Sequence, residues 1–462
     1  MKTKMDFFIK EIKGDTLTPI SILKKINGKK KFLLESSHKY NASGRYSFIG
    51  AEPAFELISR GDRNEILKEN GENEVIKGNP LEVLKKLIPP MDFEEYPFPF
   101  IGGAVGFVGY DIIRQYEVIG EEFPNGMEMP DVHLMFYEEV IVFDHLQDKV
   151  LICGCPLTKE SDTAVIEKRI NRRIEELKQP TFYPTEEPFD FSGFDSETTK
   201  ETFIKNVEIA KEHILAGDIF QVVLSRRMKS AFNGDPLSLY RKHRANNPTP
   251  YMFYIDFDGY TVIGSSPESL IKTRAQTVIS NPIAGTKRRG RTNEEDLLIE
   301  QELKNDEKEL AEHKMLVDLG RNDLGKICEF GSVQVDKYMA VEKYRHVMHL
   351  VSEVSGHLKS DKTAIDALAA CLPAGTVSGA PKVRAMEIIN SLEKSKRGLY
   401  SGAVGYISAD GNMDFALAIR TTILKEGSAY IQAGAGIVYD SNPESEYQET
   451  INKLNSFLEG EK

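Results

Sequence analysis

The feature that most limits what this chain can fold into is where its short apolar runs fall. Up to about residue 150, runs of four to eight residues rich in Val, Ile and Phe alternate with turns: KFLLES, RYSFIGA, AFELIS, IGGAVGFVGYD and DVHLMFYEEVIVFDH. Runs of this length and composition predict strands. A second set, IFQVVLSRRM, PYMFYIDF, YTVIGSSPESLI and TVISNPIAGTKRR, follows from Ile219, and YSGAVGYIS, FALAIRTTILK and AYIQAGAGIVY come near the end. Helical patterns lie among them. NPLEVLKKL has Asn79 to cap a helix and Pro80 at its first position, and Ser161 to Lys178 is charged and helical. KETFIKNVEIAKEHILAGD sets Phe203, Val207, Ala210 and Ile214 on one face and stops at Gly217. One long acidic helix is expected from about Asn293 to Asp318, with further helices at HVMHLVSEVSG and VRAMEIINSLE. Strands clustered at both ends with helices between them favour α+β over an alternating parallel sheet. The aperiodic, Pro- and acid-rich stretch from Gln179 to Thr199 reads as a linker. It divides the chain into residues 1–150, a helix and linker over 151–195, and residues 196–462.

With 462 residues, two ordinary domains and a large core are within reach. A net charge of −12 argues against a nucleic-acid surface and against adhesion to anionic membrane, so any bound anion needs a local cationic cluster or a metal. Cys153, Cys155, Cys328 and Cys371 form no C-x-x-C pair, which disfavours a zinc knuckle or disulfide scaffold and makes reduced, cytoplasmic thiols the expectation. The N-terminal MKTKMDFFIK lacks the apolar run of a signal peptide, and Tyr96 to Tyr110, an uncharged stretch that no other exceeds, is too short to span a bilayer.

The stretch GAGIVYDSNPESEYQETINK, Gly434 to Lys453, carries the densest chemistry. Glycines at 434 and 436 thin a strand, which is costly unless something must approach the backbone closely. A polar turn, Asp440 to Pro443, then opens a helix on which Glu446, Glu449 and Lys453 share one face. Two carboxylates and an ammonium beyond a thinned strand suit a divalent cation and an anionic small molecule. The same pattern also fits a solvated helix with a Glu449–Lys453 pair worth a few tenths of a kcal/mol.

GTVSGAPK fails the phosphate-loop spacing, because three residues rather than four separate Gly375 from Gly379 and Ala380-Pro381 precede Lys382. GGAVG at Gly102 to Gly106 lacks the acidic residue of a dinucleotide site; both read as close-packing glycines. His346 and His349 in RHVMH are two histidines without a third, a pattern commoner in packing than in metal binding. Glu312 stands beside an apolar stripe of Leu310, Met315, Leu316 and Leu319, where a carboxylate needs a partner or solvent.

Taken together, LLES (33–36), RYS (45–47), PYM (250–252), SPE (266–268), PIAGT (282–286), Glu312-His313, LGRNDL (319–324), residues 374–382, residues 400–406 and the terminal stretch resemble the chorismate-utilising enzymes, and among them the anthranilate synthase component I group. The resemblance implies an α+β fold of orthogonally packed antiparallel sheets surrounded by helices, with the catalytic region in the part matching 196–462. It implies Mg²⁺ on Glu312 and Glu449, with Glu446 a further or water-mediated ligand. Gly285, Thr286, Tyr400, Arg420, the backbone of Gly434, Ala435 and Gly436, and Lys453 would hold chorismate. Glu268 would be the general acid, His349 would lie beside the ring, and Thr376 would orient the substrate. Ammonia would come from a separate glutamine amidotransferase, giving a hetero-oligomer, since no cysteine–histidine glutaminase signature is visible here. Ser36, Pro250, Tyr251 and Met252 match contacts for tryptophan as feedback inhibitor. Two residues separate related chemistries: Gln221 stands where water-adding relatives carry a lysine, and Ala284 where aminodeoxychorismate enzymes usually carry one.

Overall fold

A computed structural model describes residues 3–4, 7–37, 44–88, 91–92, 98–158, 160–180, 188–344 and 347–459. Among these residues the strands form a 12-stranded and a 13-stranded sheet, both antiparallel throughout, beside one short parallel pair, Thr3–Lys4 with Met91–Asp92. The α+β expectation of antiparallel sheets with helices around them holds.

The core is layered. Between the sheets pack Phe32, Phe48, Phe253 and Val262 from one and Val105, Phe107, Met135 and Tyr406 from the other. Helices Pro80–Leu87, Glu307–Ile327 and Ala364–Cys371 seal the outer face of the 12-stranded sheet through Leu81, Leu84, Val317, Leu324, Ile365 and Leu368. Helices Pro19–Lys25, Thr163–Lys178 and Pro236–Asn246 seal the 13-stranded sheet through Ile22, Ile166, Ile170 and Tyr240. Each buried apolar side chain of this size is worth about 1.5–3 kcal/mol, which makes these layers the main source of stability. Asn79 caps Pro80–Leu87 as expected, accepting from Leu81 N–H at 2.9 Å.

Strands from before and after the proline-rich stretch share both sheets. Gly103–Val108 pairs with Ala403–Ser408, and Phe32–Glu35 pairs with Tyr251–Asp256. Within the stretch itself, Phe189–Phe191 and Asp195–Ser196 pair with the strand Gln221–Gly234, and residues 181–187 lie outside the described ones.

Several sequence expectations are corrected. HVMHLVSEVSG is a strand, Val347–His357, flanked by Ile283–Arg288, Thr277–Ser280 and Gln334–Lys343. Its β-branched residues sit with both faces largely covered, which suits a pleated surface. The acidic helix is two, Asn293–Asn305 and Glu307–Ile327. They break at Asp306, whose extended backbone and carboxylate cap the second helix by accepting from Glu309 N–H at 3.3 Å. YTVIGSSPESLI and FALAIRTTILK each split into two strands in different sheets. Tyr260–Ser266 and Thr421–Lys425 belong to the 13-stranded sheet, whereas Ser269–Arg274 and Met413–Leu417 belong to the 12-stranded one. The chain thus crosses between sheets at Pro267-Glu268 and at Ala418 to Arg420.

Candidate active site

Both crossings open onto one cavity of about 530 Å³, a volume typical of small-molecule sites. Its lining residues all fall between Gln221 and Leu454. Glu268, Gly285, Thr286, Glu312, His349, Thr376, Tyr400, Arg420, Gly434, Gly436, Glu446, Glu449 and Lys453 come together there. The Ala435 side chain turns the other way, fully buried against the helices Lys200–Leu215 and Lys382–Glu393, because alternate residues of a strand face opposite ways; the expectation for its backbone concerns a different atom.

Glu268 stands in the first crossing. Its backbone is pinned on both sides, with Glu268 N–H donating to Ser266 Oγ (3.3 Å) and Leu417 N–H donating to its carbonyl (3.0 Å). Thr376 Oγ1 donates to its carboxylate at 2.7 Å. Burial pushes the Glu268 carboxyl up to about 7, and the Thr376 bond acts the other way. A carboxylic acid that holds its proton near neutrality can serve as a general acid.

Across the cavity a belt of carboxylates runs along two helices. Gln221 Nε2 donates to Glu312 at 3.2 Å, which supplies the partner that a carboxylate beside an apolar stripe requires. Glu309, one turn earlier, also lines the cavity, and burial, then the charges of Glu312 and Asp306, raise its carboxyl above the usual range. Glu446 is raised too, by burial and by Glu449, against a hydrogen bond from Ser441. Glu449 pairs with Lys453 at 2.6 Å, and Lys453 also donates to the Gly434 carbonyl at 2.9 Å. The pair expected on a solvated helix therefore forms, but at the cavity wall. Among the described residues no three His, Cys, Asp or Glu side chains converge into a ready-made metal cage. An open belt of hard oxygen donors that repel one another does fit Mg²⁺, which takes few protein ligands and keeps waters or shares substrate oxygens.

Arg420 and a close-packed glycine strand complete the lining. Arg420 sits at the second crossing with φ of 48°, a left-handed conformation uncommon for a non-glycine residue and one that costs of order 1 kcal/mol. A Cβ on Gly434 would meet Leu224 O and Tyr400 Oη, each at 2.8 Å, and one on Gly436 would meet Gln221 Nε2 at 2.9 Å. The glycines hold space against neighbouring groups, as their cost in a strand implied. Gly285 forms a bulge with φ of 65° between Ala284 and Thr286, and His349 Nδ1 lies 3.0 Å from Thr286 Oγ1 and 3.3 Å from the Gly285 carbonyl. Burial raises the Tyr400 hydroxyl to about 12, so it stays a donor. His346, read as a companion of His349, lies outside the described residues. Glu309 and Gln432 escaped the sequence reading. Their signals were helical spacing, three residues before Glu312, and strand alternation, two before Gly434.

Ser36, Pro250, Tyr251 and Met252 lie away from this cavity. Met252 pairs with Glu35, so the register carried one step further sets Tyr251 opposite Ser36. Tyr251 Oη donates to Asp414 at 3.0 Å, and Met252 and Ser36 are buried. The adjoining Glu35 carboxylate accepts from Tyr240 Oη (2.8 Å) and from the Arg244 fork (2.6 and 3.0 Å), tying helix Pro236–Asn246 to this strand end.

The chain is 45% identical to anthranilate synthase component 1 of Lactococcus lactis over 97% of its own length and 98% of that protein, and 46% identical to that of Acetivibrio thermocellus over 97% and 93%. The crystal structure of anthranilate synthase component I from Streptococcus pneumoniae superposes with a TM-score of 0.83 at 45% identity, covering 97% of this chain and 98% of that one. The menaquinone-specific isochorismate synthase of Escherichia coli, at 19% identity, shares the fold with a TM-score of 0.74, covering 99% and 95%. The family described as chorismate binding enzyme matches residues 29–459, and this chain belongs to it.

Proposed function

We propose that the chain is the large subunit of an anthranilate synthase, which aminates chorismate and eliminates pyruvate. One observation carries the reading: a carboxyl poised near 7, Glu268, faces a cavity that also offers carboxylates for a cation, Arg420, the Glu449-paired Lys453 and a glycine-thinned strand. Chorismate is a dianion, and Glu312, Glu446 and Glu449 alone would repel it. Mg²⁺ held by Glu312 and Glu449, with Glu446 and Glu309 beside them, would offset that charge. Arg420 presents a planar fork to a carboxylate, and Lys453 a point charge. Ammonia adds at C2 of the ring, and Glu268 gives its proton to the C4 hydroxyl, which leaves as water; loss of pyruvate then yields the aromatic ring. Thr376 holds the acid, Thr286 and His349 border the ring, and Tyr400 donates toward the enolpyruvyl side.

Gln221 and Ala284 support this chemistry over its relatives. Both line the cavity. An amide cannot take a proton from water at neutral pH, whereas ammonia needs no such activation. The Ala284 methyl offers no amine for covalent attack on the ring, so ammonia must add directly. A separate glutamine amidotransferase supplies that ammonia in a cytoplasmic hetero-oligomer, and tryptophan binds at Ser36, Pro250, Tyr251 and Met252 to inhibit it. Among the described residues no helix is long and apolar enough to cross a membrane.

The test is turnover of chorismate by the purified chain with ammonium and Mg²⁺. Anthranilate fluorescence and pyruvate should appear in equal amounts, and EDTA should stop both reversibly. Release of aminodeoxychorismate without pyruvate, or of isochorismate without ammonia, would overturn the assignment.

A further inference from the structure

Behind the cavity wall, Arg397 is 1% exposed and all five of its N–H groups are engaged. Nε donates to Glu393 Oε2 (2.9 Å) and Nη2 to Glu393 Oε1 (2.6 Å), a bidentate pair. The other three bonds reach separate segments: Nη1 donates to the Val377 carbonyl (2.7 Å) and Ser401 Oγ (3.3 Å), and Nη2 to the Val223 carbonyl (2.7 Å). Each acceptor adjoins a residue of the site. Val377 follows Thr376, which holds Glu268. Val223 lies two residues along the strand from Gln221, which meets Glu312. Ser401 follows Tyr400, whose ring centroid is 5.6 Å from the Arg397 guanidinium. The Glu393 carboxylate extends the web, accepting from Ser225 N–H (2.8 Å) and Oγ (2.9 Å), while Gln432 Nε2 donates to Ser225 Oγ (2.8 Å). Gln432 lines the cavity as well.

We propose that Arg397 is a positioning residue of the active site: one buried guanidinium holds the Thr376 turn, the Gln221 strand and the Tyr400 segment in mutual register. The proposal rests on the functional reading above and concerns placement, since Arg397 does not line the cavity. A buried ion pair is weak grounds for stability, because well-packed apolar side chains can often replace one without loss. What an apolar side chain or a lysine cannot supply is a planar fork that meets three backbone or hydroxyl acceptors and one carboxylate at once.

A double-mutant cycle on the purified full chain tests this, with kcat and KM for chorismate measured for wild type, Arg397→Lys, Thr376→Val and the double variant, and folded content checked by circular dichroism. Arg397→Lys should lower kcat per folded molecule about tenfold or more, as displacement of reacting groups does, with a smaller change in KM. In the Thr376→Val background the same substitution should cost less than in the wild type, because part of its effect passes through the Thr376–Glu268 contact. Fully multiplicative losses, or wild-type kcat in folded Arg397→Lys, would overturn the proposal. If Arg397→Lys fails to fold, Ser401→Gly decides. Ser401 has φ of 66°, so glycine removes the Arg397 contact while relieving backbone strain. A stable variant with a several-fold lower kcat supports the proposal, and unchanged kcat overturns it. Wild type forming a different product from chorismate would refute the functional reading alone, and the cycle would then be run on that product.

Discussion

At the scale of single residues, the site depends on Glu268 keeping a proton at neutral pH and on glycines keeping space. Removing the acid by Glu268→Gln should lower kcat about 10²- to 10⁴-fold with the fold retained. In the wild type, kcat should fall as pH rises through about 7, because the acid loses its proton. Thr376 favours the ionised form, so Thr376→Val should move that basic limb to higher pH while lowering kcat. A kcat–pH profile unchanged by the substitution would contradict both roles. The two glycines should not be equally sensitive. Alanine at Gly436 would press on the end of a flexible glutamine, whereas alanine at Gly434 would press on the backbone carbonyl of Leu224. Gly434→Ala should therefore damage chorismate binding more than Gly436→Ala, which the two KM values would reveal.

At the scale of elements, the cavity depends on joints where one strand ends and another begins. The strand Gln221–Gly234 meets Ser428–Ile437 along its length, and it also pairs with the two-residue strand Gly379–Ala380 just past the Thr376 turn. That last pairing is tight. A Cβ on Gly379 would stand 2.1 Å from the Gln221 carbonyl, and its φ of 135° is hostile to other residues. Gly379→Ala should cost on the order of 3 kcal/mol, read from the denaturant midpoint, and should pull Gln221 away from Glu312. Wild-type stability in that variant would show that the joint is looser than its contacts imply. The break at Asp306 matters in the same way, because it starts the helix whose successive turns carry Glu309 and Glu312 into the cavity.

Across the whole molecule, buried histidines join the layers. His133, on the 12-stranded sheet, lies between Glu56 and Tyr260 Oη, and Tyr260 belongs to the 13-stranded sheet. His313 Nε2 lies 2.7 Å from Ser352 Oγ, linking helix Glu307–Ile327 to strand Val347–His357, and His243 is buried in Pro236–Asn246. Burial depresses all three, His313 to about 4 and His243 to about 3. Groups depressed in the folded state bind protons more readily once unfolded. Their stabilisation is complete above about 6.5 and is lost as pH falls from there toward the folded values. Each group contributes a slope of about 1.4 kcal/mol per pH unit within its window. Denaturation midpoints measured between pH 7 and 4.5 should therefore decline steadily. A flat curve over that range would contradict this account, and His313→Asn should flatten part of it.

Much of this protein was legible in local pattern. Alternation and β-branched runs mark strands, Asn79-Pro80 marks a helix start, and Glu446, Glu449 and Lys453 share a face because helical spacing requires it. Glycine at 434 and 436 signals a close approach because strands otherwise avoid it. Those features are set by a few neighbouring residues, so a one-dimensional reading can find them. Other features are set by distant partners. VMHLVSEVSGH has apolar spacing that suits a helix or a buried strand, and only the strands on either side of it choose the strand. YTVIGSSPESLI and FALAIRTTILK read as unbroken strands, yet each leaves one sheet and enters the other. At each crossing an interior strand of one sheet runs directly on into an interior strand of the other, as strands do at the corners of packed sheets. The crossings set Glu268 and Arg420 into the same cavity, and no spacing along the chain specifies that meeting.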